Sequence, residues 1–294
     1  MKKCLLSSVF LLFFFSLSFS LVFIDDLGRK VSVDRTPKRV VVAAPALTDY
    51  LVRLGLADTI VGVTDWDAFP AEKIGQLTPL NVEKIVSLRP DLVLIAGGFQ
   101  AAEASRLTPF GLNVMVLNPN SFYDIQRISR FLGALFDLPE RGHELAQMME
   151  KTLNRIAVEK AYKIPLTERK TVFFAMVQGA EIKDLWTCAQ GSFLSEIIAL
   201  AGAINITGSY TGPNGWLPIG IEFVALQNPD VILVPYYYEG GANEAIDAIL
   251  NFAPWKSVSA VKNRAVYAID GNKASYPNPT LTELLEEIYT TVYE

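Results

Sequence analysis

VEKIVSLRPDLVLIA, residues 82–96, lies without a gap over IEFVALQNPDVILVP, residues 221–235. Glu83 then matches Glu222, Pro90-Asp91 matches Pro229-Asp230, and Leu94 matches Leu233. In each copy an apolar-periodic helical segment meets Pro-Asp and then an apolar strand. Proline restricts the residue before it and cannot continue the helical amide ladder. One such unit is common in alternating α/β chains. Two copies, separated by a stretch without a strand pattern, argue for two similar lobes.

Around the first copy, RVVVAA (39–44) reads as a buried strand, followed by an apolar-periodic segment from Leu47 to Leu56. Further strands are expected at 59–64, 92–96 and 113–118, spaced by helix-sized intervals, as in a parallel sheet covered on both faces. Around the second copy, TVFFAMV (171–177), VILVP (231–235) and AVYAI (265–269) read as strands, with helices at 192–200, 221–228 and from Thr280 to the end. Between them, 121–136 and 140–163 read as two helices split by Leu138-Pro139. A 24-residue second helix would reach roughly 36 Å, enough to cross between lobes. The expected class is α/β: two Rossmann-like lobes with mainly parallel central sheets, joined by one long backbone helix. The boundaries are 21–138 for the N-terminal lobe, 139–164 for the linker helix and 165–294 for the C-terminal lobe.

The first 20 residues differ. Lys2 and Lys3 precede an apolar run from Leu5 to Phe15, then Ser16, Ser18 and Ser20. That is the order of an export signal: a basic start, an apolar middle and a small-residue cleavage region. Residues 1–20 are read as a signal peptide, with an uncleaved anchor as the alternative. Removal near Ser20 takes the formal net charge from -5 to -7 and leaves Cys188 as the remaining cysteine. The expected location is periplasmic or otherwise extracytoplasmic.

Composition narrows the chemistry. With 26 basic against 31 acidic residues and no long basic cluster, no nucleic-acid partner is expected. Two cysteines and one histidine exclude a disulfide scaffold, a four-cysteine zinc site and a three-histidine cage from this chain alone. Neither a phosphate-binding glycine loop nor a Gly-x-Ser-x-Gly elbow occurs. His143 sits among charged residues (PERGHELAQ), away from any candidate nucleophile, and Cys188 lacks a local base. No catalytic residue, metal site or resident cofactor is expected, and the chain reads as a non-enzyme that is monomeric when free. The rival from another class is a secreted hydrolase or metal-dependent enzyme.

Aromatic residues cluster after expected strands. Asp65-Trp66-Asp67-Ala68-Phe69 follows the second strand and Gly97-Gly98-Phe99-Gln100 the third. Lys183-Asp184-Leu185-Trp186 lies beyond 171–177, Gly215-Trp216 precedes the second glutamate helix, and Tyr236-Tyr237-Tyr238 follows VILVP. Loops at the carboxyl ends of parallel strands commonly line a ligand crevice. Trp66, Phe69, Gly98, Phe99, Trp186, Trp216, Tyr236, Tyr237 and Tyr238 are therefore candidate ligand contacts, with Arg106 and Lys183 as candidate cationic handles. Broad aromatic surfaces suit a large organic or chelated ligand better than a bare ion.

APALTDYLVRLGLADTIVGVTDW (44–66), LNVEKIVSLRPDLVLIAGG (80–98), GSFLSEIIALAGAINI (191–206), WLPIGIEFVALQNPDVILV (216–234) and PWKSVSAVKNRAVYAIDG (254–271) occur in this order. Together they resemble the substrate-binding proteins of iron-siderophore, haem and cobalamin ABC importers over nearly all of residues 35–293. The resemblance implies two α/β lobes joined by a helix, with a ligand held between them and little hinge opening. It also implies that one glutamate per lobe meets arginine pockets on a dimeric permease, and these correspond to Glu83 and Glu222. The ligand stays open at this point. An iron chelate of siderophore type is put first, a corrinoid such as cobalamin second and haem third. Trp66 and Phe69 fit the corrinoid, with Trp186 and Trp216 for its other face, while Tyr236, Tyr237 or Tyr238 would suit haem iron.

Overall fold

The computed structural model describes residues 21–177, 182 and 185–294, so the leader segment and Lys183 lie outside the described residues. The first lobe opens with an antiparallel hairpin, β1 (Leu21–Ile24) and β2 (Lys30–Val33). Its central sheet contains β3 (Val40–Val42), β4 (Ile60–Val63), β5 (Glu72–Lys73), β6 (Leu92–Ala96) and β7 (Val114–Leu117). The spatial order is β5-β4-β3-β6-β7 and every pairing is parallel. Helices α1 (Pro45–Arg53), α2 (Val82–Ser87) and α3 (Glu103–Leu107) occupy the crossovers. Val40, Val41 and Val42 are all fully buried, as expected for a strand covered on both faces.

Next come α4 (Phe122–Leu135) and α5 (Pro139–Leu153). They lie close because both contact positions are glycine: a Cβ on Gly133 would stand 2.7 Å from the Gly142 Cα. Ser121 caps α4 by accepting from the Asp124 amide at 3.1 Å, and Pro139 supplies the fixed φ suited to the first turn of α5. The helix expected over 140–163 is shorter. Regular α-helix stops at Leu153 and a π-helical turn takes Asn154–Val158, followed by a single 3-10 turn at Ala161–Lys163.

The second lobe holds β8 (Thr171–Phe174), β9 (Met176–Val177), β10 (Leu185–Cys188), β11 (Ile204–Asn205), β12 (Trp216–Ile219), β13 (Val231–Tyr236) and β14 (Val266–Asp270). The order β11-β8-β13-β14 forms a parallel sheet, and β12-β10-β9 a small antiparallel one. Its helices are α6 (Phe193–Leu200), α7 (Ile221–Gln227), α8 (Gly241–Leu250), α9 (Ser259–Lys262), α10 (Gly271–Ser275) and α11 (Leu281–Tyr293). The two sequence copies take matching places. β6 lies between β3 and β7, and β13 between β8 and β14. Their Pro-Asp carboxylates also do the same work. Asp91 accepts from the Lys38 and Arg39 amides at 2.9 and 3.1 Å, just before β3, and Asp230 from the Thr171 amide at 2.8 Å, where β8 starts. Among the described residues no helix is long and apolar enough to cross a membrane.

Candidate functional site: the interlobe cleft

Residues beyond the carboxyl ends of β3, β6 and β7 meet residues of the second lobe around a cavity of about 380 Å³. From the first lobe come the start of α1 (Pro45, Ala46), the turn after β6 (Gly97 to Phe99) and the turn after β7 (Asn118 to Asn120). The second lobe contributes Gly191 to Phe193 at the start of α6, Asn214 and Trp216 around the start of β12, and Ser275 to Pro277 after α10.

Local chemistry fixes these walls. Gln100 is fully buried; its Oε1 accepts from the Ala96 amide at 2.9 Å, and its Nε2 donates to the carbonyls of Ala43 at 2.7 Å and Leu77 at 2.8 Å. One side-chain amide thus ties three lining segments together. Gly98 has φ 63°, a left-handed conformation that favours glycine, and lets the chain turn sharply so that Phe99 stands 58% exposed at the cleft. Across the cleft, the Trp216 ring is held edge-on by Phe174 and Phe193, with centroids 5.9 and 6.3 Å away. Burial pushes the Tyr276 phenol above its usual value, and the nearby Asp67 carboxylate and Tyr237 add to this. Tyr276 is therefore a neutral hydroxyl at physiological pH. None of the described residues lining the cavity carries a charge; its polar groups are amides, hydroxyls and backbone.

Of the residues expected from sequence, Gly98, Phe99 and Trp216 line this cavity. The other described candidates lie outside its lining. Trp66 is 62% exposed and donates from Nε1 to Gln76 at 3.1 Å, while Phe69 packs partly buried on the first-lobe core. The Lys73 ammonium donates to the Asp67 carbonyl, with the Thr64 and Phe69 carbonyls each at 3.5 Å, and so fixes that loop. Trp186 is within β10, paired to Pro218 and Met176. Tyr236 ends β13, the Tyr237 hydroxyl lies 3.3 Å from Ser275 Oγ, and Tyr238 donates to Glu244. Arg106 is not a free cation. It pairs with Glu103, a buried carboxylate that also accepts from Thr78 Oγ1 at 3.0 Å and the Leu80 amide at 3.2 Å. Lys183 lies outside the described residues.

Sequence reasoning missed Asn118, Asn120, Phe193, Asn214 and Tyr276. The strand-end rule does reach Asn118-Pro119-Asn120, which directly follows β7; Tyr276 carries no comparable signal because a short helix separates it from β14.

Groups considered for chemistry are occupied structurally. Cys188 is fully buried, its thiol is pushed up to about 12 by burial, and Asn205 Nδ2 donates to its carbonyl at 2.9 Å. His143 Nε2 lies 2.9 Å from Gln147 Nε2, one turn along α5. Among the described residues no group of three or more His, Cys, Asp or Glu side chains is arranged to hold a metal ion. Glu83 and Glu222 are each the second residue of a short helix, α2 and α7, and both are exposed. Among the described residues neither makes an ion pair.

Residues 40–272 match the periplasmic binding protein family. The chain is 30% identical over 282 residues to the ABC transporter substrate-binding lipoprotein YvrC of Bacillus subtilis, covering 92% of this chain and 85% of that protein. It is 25% identical over 263 residues to a vitamin B12-binding protein of Vibrio cholerae, covering 86% and 88%. The fold is similar to that of the periplasmic haem-binding protein BhuT, with TM-score 0.73, 22% identity, and 87% of this chain and 97% of that one covered. With two α/β lobes around an interlobe cleft and a match over most of its length, the chain belongs to the periplasmic binding protein family, the extracytoplasmic, non-catalytic class that serves ABC importers.

Proposed function

We propose that the protein captures a corrinoid in the interlobe cleft and presents it to an importer permease through Glu83 and Glu222. The observation that carries the ligand reading is the uncharged lining among the described residues. An anionic ferric siderophore or the propionates of haem would call for cationic partners in a concave, partly dry site, because an unpaired buried charge is costly. A corrinoid presents a broad apolar ring system edged with carboxamides. Phe99, Phe193 and Trp216 supply faces for the former, while Asn118, Asn120, Asn214, Ser275 and Tyr276 supply partners for the latter. Relatives named vitamin B12-binding proteins, matched over most of their length, favour the same ligand. The iron chelate expected first from sequence therefore gives way to the corrinoid.

The docking reading rests on the repeat. A helix that runs antiparallel to the parallel strand following it begins near the edge where the strands end, the edge that bears the cleft. Glu83 and Glu222 both occupy such a first turn, exposed and unpaired among the described residues.

The test is titration of purified protein with cyanocobalamin, haem and a ferric siderophore, read by absorption and native mass spectrometry. Saturable binding of one cyanocobalamin is expected. Trp216→Ala should weaken it about 30-fold, the effect of losing roughly 2 kcal/mol from an aromatic anchor. Saturable binding of haem or the siderophore, with none of cyanocobalamin, would sink the corrinoid reading.

A further inference from the structure

Glu283, the third residue of α11, holds two cations from different lobes. Its Oε1 accepts from Arg53 Nη2 at 2.8 Å and its Oε2 lies 3.0 Å from Lys273 Nζ. Arg53 is the last residue of α1 and is oriented by Asp49, one turn earlier, at 2.7 Å. Lys273 lies in α10, two residues before Ser275. The far end of α1, at Pro45 and Ala46, lines the cleft from the first lobe, while Ser275, Tyr276 and Pro277 line it from the second. The Tyr50 hydroxyl donates to the Pro277 carbonyl at 3.5 Å, a further contact between the same two walls. Glu283 is outside the cleft lining, yet it joins the elements that form it.

We propose that Glu283 is a positioning residue for ligand capture, an ionic tie between α1 and α10 that sets how far the cleft opens. Burial alone would push its carboxyl up, but the hydrogen bonds from Arg53 and Lys273 hold it below the usual range, so the tie stays charged at neutral pH. All three side chains are partly exposed, which makes the tie sensitive to salt. A second cross-lobe carboxylate behaves differently. Glu196 of α6 accepts from the Phe122 amide at 2.9 Å, a contact to backbone rather than to a counter-charge. Loosening the Glu283 tie should therefore widen the cleft on one side.

The proposal rests on the cleft being the ligand site, but its first readout needs no ligand. Fluorophores attached at Ser87→Cys and Asn243→Cys, exposed positions on separate lobes, report the interlobe distance by single-molecule energy transfer. Glu283→Gln should lengthen and broaden the distance distribution. It should also speed cyanocobalamin release about fivefold, the scale of losing partly exposed ion pairs. Raising sodium chloride from about 0.05 to about 1 M should move the wild type toward the Gln distribution and leave the variant unchanged. A merely structural Glu283 would not produce that convergence. If the variant fails to fold, the wild-type salt titration decides alone. Distance distributions that ignore both salt and substitution would overturn the proposal. A distance response in a protein that binds no cyanocobalamin supports the aperture role and overturns only the corrinoid reading.

Discussion

The turn after α2 holds Arg89 at φ 47°, and the turn after α7 holds Asn228 at φ 49°. Both residues precede the proline of the repeated unit. Asparagine visits the left-handed region readily, and Asn228 gains a bond there by accepting from the Ser259 amide at 2.7 Å. Arginine has no such local compensation. The helix starts differ too: Asn81 caps α2 through the Lys84 amide, while Gly220 offers α7 no side chain. The aspartates differ in partners, with Asp91 bound to two amides and the Arg35 guanidinium, and Asp230 to the Thr171 amide and hydroxyl. Backbone tasks have thus been solved by whatever side chain was at hand. The outward glutamates, which make no ion pair or side-chain hydrogen bond among the described residues, stay the same. That contrast separates what the fold tolerates from what an outside partner would read.

The largest effect should come from breaking the shared feature. Glu83→Arg combined with Glu222→Arg should reduce transport by the reconstituted importer roughly 100-fold or more, because like charge at a docking contact costs several kcal/mol. Ligand affinity of the isolated protein should change by less than about twofold, since neither residue lines the cleft. Normal transport in this variant would defeat the docking reading. Unequal single reversals would show that the two lobes are read differently.

An intermediate effect should follow at the Pro-Asp carboxylates. Asp91→Asn should cost about 1–3 kcal/mol in urea unfolding, the range for disturbing charged, partly buried hydrogen bonds. Burial pushes the Asp91 carboxyl up, but the Lys38 and Arg39 amides and the Arg35 guanidinium outweigh it, so its value in the folded protein lies below the usual one. Its stabilisation is complete above the usual carboxylate range and is lost as the pH falls toward the lowered value. Stability of Asp91→Asn should accordingly fall less steeply in acid than that of the wild type. Equal acid slopes would show that the Asp91 contacts contribute little.

The smallest effect concerns the left-handed turn. Arg89→Asn should stabilise the protein by about 0.5–1 kcal/mol, by easing a conformation that an arginine side chain disfavours. The mirror change, Asn228→Arg, should destabilise by at least as much, since it also removes the bond to the Ser259 amide. Chemical denaturation of both variants measures the pair. Opposite signs sharpen the comparison between the lobes, and matching signs break it.

Most strands of the parallel sheets were legible because they are short runs rich in Val, Leu and Ile near proline, aspartate or glycine, a pattern that burial on both faces demands; the two-residue edge strands β5 and β11 carry no such run. The antiparallel β10 and β12 were not legible, and β9 reads as one strand with β8. LWTC and WLPI mix polar and aromatic residues, and Pro218 removes an amide, so Trp186 and Trp216 read as loop although both lie in strands. At the cleft, the strand-end rule reached Gly98 and Phe99 because β6 feeds straight into the wall. After β13, the Tyr237 hydroxyl meets Ser275 of the cleft wall and Tyr238 bonds Glu244. Arg106 looked available because its partner, Glu103, is three residues earlier on the same helix, and the burial of that carboxylate depends on tertiary contacts with Thr78 and Leu80. Glu283 was invisible for the same reason: one partner, Arg53, is 230 residues away and the other, Lys273, is on another helix.

The burial of Cys188 has a redox consequence. Outside the cytoplasm a lone accessible thiol can be oxidised to a disulfide with another chain, and the attacking species is the thiolate. At a pKa of about 12 almost none of Cys188 is ionised near neutral pH, and its enclosed position beneath α6 and Asn205 denies contact to a second sulfur. Cys188 should therefore stay reduced in an oxidising compartment, and that protection lasts as long as the second lobe stays folded.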